Sequence, residues 1–271
     1  MSSILTIALA IILFMMVILI HELGHFCLAK YLGVAVYELS VGVGPMIRQH
    51  EKNGTKYSFR LIPFGGYCDM EGAKMEVIEG ELDEDGEPEM EVRMVKNEDP
   101  RNYNNQPAWV KILILSAGPV FNFLFAIIVM SLTLVIFTDQ FTLSAALMDS
   151  FSMIGAYFVI IWQTIADLFA GRSGAAEFVG VVGMVDVIAE EASFGFPNLM
   201  YFMGSISINL GIMNLIPIPA LDGGRILLTL IRRLTGNKIS DELETRINTV
   251  GVLILLLLMV VLIIKDVVNL F

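Results

Sequence analysis

Long apolar segments separated by charged stretches dominate the chain. Four of them approach the roughly 20 residues needed to cross the core of a bilayer. They lie at about residues 4–28, 112–137, 198–221 and 249–265. The pattern predicts a polytopic α-helical membrane protein with about four transmembrane helices, forming one functional unit over residues 1–271.

A fifth apolar segment, residues 150–166, also lacks charges. It contains two serines, a glutamine and a threonine, and Asp149 and Asp167 flank it. We therefore predict an interfacial helix on the outer side of the membrane, at about residues 145–170. The alternative is a further span, in which case segment 198–221 would run in the opposite direction and the two parts of the metal site would lie at different depths.

The basic residues predict the orientation in the membrane. Fifteen of the seventeen Lys and Arg residues lie between spans, in residues 29–111 and 222–248. Because positively charged loops stay in the cytoplasm, both stretches are predicted to be cytoplasmic and both termini to lie outside. The first apolar segment has no preceding Lys or Arg and no small-residue cleavage site, so we expect a retained span and not a signal peptide.

Acidic residues are concentrated in one stretch. Residues 71–100 contain twelve Asp or Glu against three Lys or Arg, and they contribute much of the net charge of −11. This composition predicts a solvated, mobile cytoplasmic loop, with a docking segment for a basic partner as the alternative. The negative net charge also argues against a nucleic-acid partner. Cys27 and Cys68 have neither the context of a disulfide framework nor the spacing of a thiolate metal site.

Candidate chemistry lies near the end of the first apolar segment, in "LIHELGHFCLAKY". His21 and His25 are four residues apart, so on a helix both rings lie on one face and can bind one Zn²⁺. Glu22 projects at a neighbouring angle, where it can reach a water at the metal instead of the metal itself. Ionisable groups in an apolar span are costly unless they are paired or bound to an ion. The H-E-x-x-H pattern therefore predicts a metal site.

A catalytic zinc site usually has a third protein ligand. His50 lies in a polar, basic stretch and is a poor candidate, whereas the segment "NLIPIPALDGGRILL" places Asp222 directly after an apolar run. Pro217 and Pro219 interrupt the helix there, and irregular backbone at membrane depth is tolerated where it is buried in protein or lines a watery cavity. We expect Asp222 to be the third ligand, with a simple helix-end cap as the alternative.

Two stretches rich in β-forming residues follow the first span. Residues 34–47 and 55–67 are joined by the turn sequence "KNG" and predict a membrane-associated β-hairpin over about residues 34–67. An exposed edge of such a hairpin could hold an unwound substrate as an added strand. The alternative is a hairpin that only packs against the helices.

The combination of H-E-L-G-H with a later N-L-I-P-I-P-A-L-D-G-G resembles the site-2 proteases, which are intramembrane zinc metalloproteases. The bacterial regulator-of-sigma-E protease branch is the most similar. "RLIPFGGYCDMEG" resembles the family's membrane-associated β-element, and "NNQPAWVKILILSAGPVFNFLFA" resembles its second span, with the G-P-x-x-N signature at Gly118, Pro119 and Asn122.

The resemblance implies a function and a set of roles. His21, His25 and Asp222 would be the ligands of one Zn²⁺, and Glu22 the general base. Asn209 and Asn214 would position the substrate backbone or stabilise an oxyanion, with interhelical hydrogen bonding as the alternative. The expected reaction is hydrolysis of a peptide bond in or near the transmembrane segment of single-span proteins, as in regulated intramembrane proteolysis.

The same resemblance implies the setting. Expected substrates include anti-sigma factors and remnant signal peptides, and the expected location is a bacterial cytoplasmic membrane with the active site toward the cytoplasm. This sequence departs from the branch in lacking room for a PDZ domain, since only about sixty mostly apolar residues separate Phe137 from Asn198. A non-enzymatic zinc-binding scaffold or a metal transporter is the alternative function, although Glu22 would be superfluous to simple binding.

Overall fold

The computed structural model describes residues 3–72, 74–82, 88–95, 98–138, 141–172, 180–236 and 241–269. In these residues the chain forms seven α-helices and four β-strands. The helices are α1 (Ser3–Tyr31), α2 (Ala108–Phe137), α3 (Leu143–Phe169), α4 (Val181–Ser193), α5 (Phe196–Leu215), α6 (Asp222–Leu234) and α7 (Asp241–Asn269). The strands are β1 (Glu38–Lys52), β2 (Thr55–Asp69), β3 (Lys74–Leu82) and β4 (Pro88–Val95).

Four helices are long and apolar enough to cross a membrane, which confirms the predicted fold class. The qualifying segments are Leu5–Tyr31, Ala108–Phe137, Leu143–Leu168 and Leu243–Asp266. In α7 only 6% of the most apolar window is buried within the protein, so nearly all of its apolar surface is left for lipid.

The identity of the four helices differs from the prediction. The predicted interfacial helix at residues 145–170 is α3, which is one of the four candidates, whereas the predicted span at 198–221 is the less apolar α5, which is not. Asparagines and serines lower the hydropathy of α5, but the helix lies inside the bundle against α2. There the Ser207 hydroxyl donates to the Asn122 carbonyl oxygen at 2.9 Å. Polar groups are tolerated at membrane depth where neighbouring helices supply partners.

α3 lies lengthwise against α2 and runs in the opposite direction. Near the end of α2 the Ser131 and Ser150 hydroxyls are 2.9 Å apart. Further along, the rings of Phe123 and Phe158 are 6.1 Å apart. A helix confined to one membrane surface would not be expected to follow α2 over this length, so the packing favours a span over the predicted interfacial helix.

We expected that, if α3 spans the membrane, the two histidines of α1 and Asp222 would lie at different depths. The structure does not separate them. The Tyr201 hydroxyl donates to an Asp149 carboxylate oxygen at 3.4 Å, which places the start of α5 beside the start of α3. The segment containing α4 therefore returns the chain to that end of the bundle. Consequently α3 and α5 run in the same direction, and α5 ends at the depth of the histidines in α1.

The predicted hairpin after α1 is present, and both of its strands are bent. Leu39 of β1 lies opposite both Tyr57 and Cys68 of β2. The register thus divides the two strands into four adjacent segments, in the spatial order 46–52, 55–60, 38–43 and 62–69. Segment 62–69 is one edge of this sheet, and no other described strand pairs with its outer side.

The acidic stretch at residues 71–100 is not the predicted loop throughout. β3 and β4 form a second antiparallel pair, with Lys74 opposite Val95 and Leu82 opposite Pro88. Apolar and charged residues alternate in "PEMEVRMV" of β4, which is the period of a strand with one polar face, whereas in "KMEVIEGEL" of β3 the alternation breaks at Val77 and Ile78. The high charge concealed this alternation. Residues 73, 83–87 and 96–97 of the stretch lie outside the described residues.

The position of α3 can be tested by cysteine labelling in oriented membrane vesicles. Thr142→Cys and Arg172→Cys lie just beyond the two ends of α3. We expect a membrane-impermeant thiol reagent to reach the two positions from opposite faces of the membrane. Labelling of both positions from the same face would support the predicted interfacial helix instead.

Candidate metal centre

α1 and α2 approach each other closely at two glycines. A Cβ atom on Gly24 would lie 2.4 Å from the carbonyl oxygen of Ala117, so no side chain fits between the backbones at this point. His21 lies ten residues before the end of α1, and Gly118 lies ten residues after the start of α2. At 1.5 Å per residue His21 and Gly118 are each about 15 Å from those helix ends, well inside both helices.

Three ligand atoms converge at this contact. The Nε2 atoms of His21 and His25 are 3.2 Å apart. One Asp222 carboxylate oxygen, Oδ2, lies 3.0 Å from His21 Nε2 and 3.3 Å from His25 Nε2. Both histidines are buried, with 6% and 5% of their surfaces exposed. The structure therefore brings together the three residues that the sequence singled out, from α1 and from the start of α6.

The spacing of these atoms fits a zinc ion. Ligands about 2.0–2.1 Å from a tetrahedral Zn²⁺ are about 3.3 Å from one another, close to the three observed distances. Asp222 Oδ2 is buried and accepts no hydrogen bond within the described residues, so it is free to face an ion. Burial alone would raise the pKa of the Asp222 carboxyl, but the two adjacent imidazoles hold that pKa below its ordinary value. The carboxylate is thus ionised, as a ligand must be.

Gly118 keeps space open directly beside the ligand atoms. A Cβ atom at this position would lie 2.5 Å from His25 Nε2 and 2.7 Å from His21 Cε1. Any side chain here would displace the rings or fill the space between them. The glycine of the G-P-x-x-N sequence therefore has a steric role at the metal centre.

Two groups of α2 orient the rings from behind. His25 Nδ1 lies 2.8 Å from the carbonyl oxygen of Ile114, so its proton is donated there and the Nε2 lone pair faces the centre. The side-chain amide of Asn122 lies 3.2 Å from His21 Nδ1, and Asn122 Oδ1 is buried without a partner among the described residues. A 180° turn of that amide lets Oδ1 accept the His21 Nδ1 proton.

These orienting groups were missed as functional residues in the sequence. Ile114, Gly118 and Asn122 repeat every four residues and so share one face of α2, opposite the face of α1 that carries His21 and His25. That spacing was a usable signal. The ring partner of His25 is a backbone oxygen, however, and a backbone group leaves no mark in the residue types.

Glu22 lies between the two histidines and the edge segment 62–69 of the sheet. The backbone of Cys68 lies beside the Glu22 carboxylate. A Cβ atom on Gly66 would lie 3.4 Å from Glu22 Cγ, so the strand passes directly over this side chain. Burial and the nearby Glu22 carboxylate raise the pKa of the Cys68 thiol, which is therefore protonated and unsuited to bind a metal.

Irregular backbone delivers Asp222 to the centre, as the two prolines predicted. α5 ends at Leu215 and α6 begins at Asp222. Between them Ala220 has φ of 79°, a left-handed conformation that costs a residue with a Cβ about 1–2 kcal/mol. Strain of this kind is found at functional sites, where the surrounding structure must enforce it.

The two predicted substrate-contacting asparagines make hydrogen bonds within their own helix. The Asn209 and Asn214 amide groups donate to carbonyl oxygens of their own helix, Ser205 and Leu210, each at 3.1 Å. Neither makes an interhelical hydrogen bond within the described residues, so that alternative gains no support. His50 lies exposed in β1, away from the metal centre.

The profile of Peptidase family M50 matches residues 9–258, and the chain belongs to this family. A Clostridium acetobutylicum protein, provisionally named a zinc metalloprotease, is 29% identical over 98% of both chains. The regulator of sigma-W protease RasP of Bacillus subtilis is 24% identical over 96% of this chain and 98% of its own. The zinc metalloprotease RasP of Bacillus licheniformis is 23% identical over the same shares.

These findings confirm the predicted family, the enzyme class and the cofactor: the protein is an integral membrane zinc metalloprotease. The alignments also bear on the length of this chain. The alignment with the Clostridium protein has 355 positions, so at least 84 of them face a gap in this 271-residue chain. The alignment with Bacillus subtilis RasP has 418 positions, so at least 147 do. These gaps do not contradict the expectation that this chain has no room for a PDZ domain.

The steric role of Gly118 predicts the effect of a single methyl group. Gly118→Ala should abolish stoichiometric zinc binding, because the new Cβ would lie within 2.7 Å of both histidine rings. Gly155→Ala is the matched control, since a Cβ at that position in α3 meets nothing within 4 Å. Zinc content of the two purified variants, with circular dichroism to check folding, measures the difference. Full zinc content in Gly118→Ala would show that the rings do not face this space.

Proposed function

We propose that this chain hydrolyses a peptide bond in or near the transmembrane segment of single-span membrane proteins. One Zn²⁺ would be held by His21, His25 and Asp222, with Glu22 as general base. The observation that carries the proposal is the convergence of three ligand atoms within 3.0–3.3 Å of one another, beside a carboxylate that is not one of them. The convergence lies about 15 Å inside membrane-spanning helices.

Each residue has a defined part in this chemistry. Zinc, when bound, supplies an acidified water and a Lewis acid for the scissile carbonyl. The Glu22 carboxylate accepts a proton from the attacking water and later returns it to the leaving amine. The close packing of Gly66 against the Glu22 side chain holds that carboxylate between the histidines and the sheet. Asn122 and the Ile114 carbonyl hold the imidazoles in place.

The sheet supplies what an unwound substrate lacks. A transmembrane helix must open locally before its amide can be attacked, and the freed backbone groups need partners at that depth. Segment 62–69 is an edge that passes over Glu22, so a substrate strand added there would be brought to the general base. Asn209 and Asn214 would contact the substrate backbone further along, through their side-chain oxygens.

We propose the orientation from the distribution of Lys and Arg, and the substrates and the membrane from the name of a relative. The concentration of Lys and Arg at residues 29–111 and 222–248 favours a cytoplasmic location for the sheet and α6, with both termini outside. Because B. subtilis RasP is named a regulator of sigma-W protease, anti-sigma factors are the first substrates to consider, followed by remnant signal peptides. The membrane would be a bacterial cytoplasmic membrane.

Substitution of the general base separates a protease from a zinc-binding scaffold or transporter. Glu22→Gln keeps the side-chain volume but cannot accept the proton, so we expect cleavage to fall by at least about 100-fold. Zinc content should stay near one per chain in both proteins. The measurement is cleavage of a tagged single-span substrate co-expressed with either protein. Equal cleavage by both would remove Glu22 from the mechanism.

Strand addition predicts that the two edges of the sheet differ in their response to proline. Proline lacks the N–H needed to pair with an added strand. Phe64→Pro lies in edge segment 62–69, and the control Ile47→Pro lies in the opposite edge segment, outside the paired register. We expect Phe64→Pro to reduce cleavage strongly and Ile47→Pro to preserve it. Equal activity of the two variants would leave the sheet with a packing role alone.

A further inference from the structure

A second polar constellation lies one turn of helix beyond Asp222. Arg225 is three residues further along α6 and is partly buried. Its guanidinium group forms an ion pair with the Glu71 carboxylate and lies 5.2 Å from the centre of the Tyr103 ring. Glu71 is 154 residues away in the chain, so this contact joins α6 to the segment that follows the sheet.

The partners of Arg225 are themselves firmly held. Tyr103 is 3% exposed, and its backbone N–H donates to the Met70 carbonyl oxygen at 3.1 Å. Asn102 is 1% exposed and donates from its side chain to the Glu71 carbonyl oxygen. The end of the sheet and the start of α2 thus form one anchor, and the Arg225 guanidinium group binds the start of α6 to it beside the apolar contact of Ile226 with the same cluster.

The chain before α6 reaches Asp222 through irregular backbone. The strained Ala220 is bound through a hydrogen bond of 3.4 Å from its N–H to Asn248. Gly223 and Gly224 pack closely on that backbone, where no Cβ would fit. The ion pair of Arg225 adds a charged contact one turn after Asp222. Ligand distances in a zinc site stay within about 0.2 Å of their usual values, so each contact that fixes this turn matters to the metal centre.

We propose that Arg225 is a positioning residue for the metal centre. Its ion pair with Glu71 and its contact with the Tyr103 ring hold the first turn of α6, and with it the Asp222 carboxylate, against His21 and His25. The inference rests on the proposed role of Asp222 as a zinc ligand. Arg225 itself touches neither the metal ligands nor a substrate. The proposal therefore makes zinc affinity depend on Glu71, which lies in the segment that leads into β3.

The test measures zinc retention in the full-length purified protein against increasing concentrations of a competing chelator. Arg225→Met removes the charge while keeping an unbranched side chain. We expect it to lose zinc at about 10-fold lower chelator concentration, the lower end of what removal of an outer-shell partner costs. Glu71→Gln should lose zinc similarly, and Arg225→Lys, which keeps the charge, should lie between Arg225→Met and wild type.

The matched control is Arg232→Met in the same helix. Arg232 also forms a partly buried ion pair, 3.3 Å from Glu244, but it is ten residues from Asp222. We expect wild-type zinc retention from this variant. Equal loss in Arg225→Met and Arg232→Met would show general weakening of α6 and would overturn the proposal.

A double-mutant comparison separates this proposal from the proposed function. If Arg225 acts through the Asp222 carboxylate, Arg225→Met should cause no additional loss of zinc in an Asp222→Asn background. An equal further loss in that background would overturn the positioning role while leaving Asp222 as a ligand. Wild-type retention in Asp222→Asn alone would instead refute the proposed ligand set, and this inference with it.

Discussion

The backbones of α1 and α2 meet at Gly24 and Ala117, and every part of the metal centre is placed relative to that contact. The approach sets His21 and His25 against Gly118, where no Cβ would fit beside the rings. It also brings Ile114 and Asn122 within reach of the two Nδ1 atoms. A larger residue at either glycine would move the ligands, their orienting groups and the open space together.

Ionisable groups are costly at membrane depth, and this explains why the ionisable side chains near the metal centre have partners. An imidazole or carboxylate inside a span is tolerated when it is paired, hydrogen-bonded or bound to an ion. The ligand atoms of His21, His25 and Asp222 converge at one point, and each imidazole has a polar partner behind it. The same reasoning extends to Arg225, whose charge is met by Glu71 and by the Tyr103 ring.

The sequence predicted the features that depend on residues close together in the chain. His21, Glu22 and His25 lie within one turn and a half of a single helix, and Asp222 stands out as a carboxylate after an apolar run. The hairpin after α1 was likewise visible in composition. The strands β3 and β4 were also local, but their alternation was outweighed by the number of charges.

Long-range contacts defeated the sequence reasoning elsewhere. The sequence predicted α5 as a span of the same kind as the more apolar helices, although it contains asparagines. α5 tolerates these asparagines because α2 shields it. The polar residues of α3 suggested an interface, yet Ser150 is buried against Ser131. Nothing near Arg225 in the sequence identifies Glu71 as its partner. Which face of a helix is covered depends on its neighbours, and the chain order does not supply them.

The distribution of polar groups indicates how water reaches a hydrolytic site inside a membrane. On one side of the centre lie the sheet, the start of α6 and the pair of Glu71 with Arg225, all of them polar elements near the end of α1 and the start of α2. On the other side the bundle is closed by packed apolar residues: Ala10, Leu13, Val17, Ile188, Leu199 and Met203. This distribution favours entry of water from the side of the sheet over entry through the apolar cluster. Because the edge segment 62–69 passes over Glu22 on that same side, the general base lies where the water route and an added substrate strand would meet.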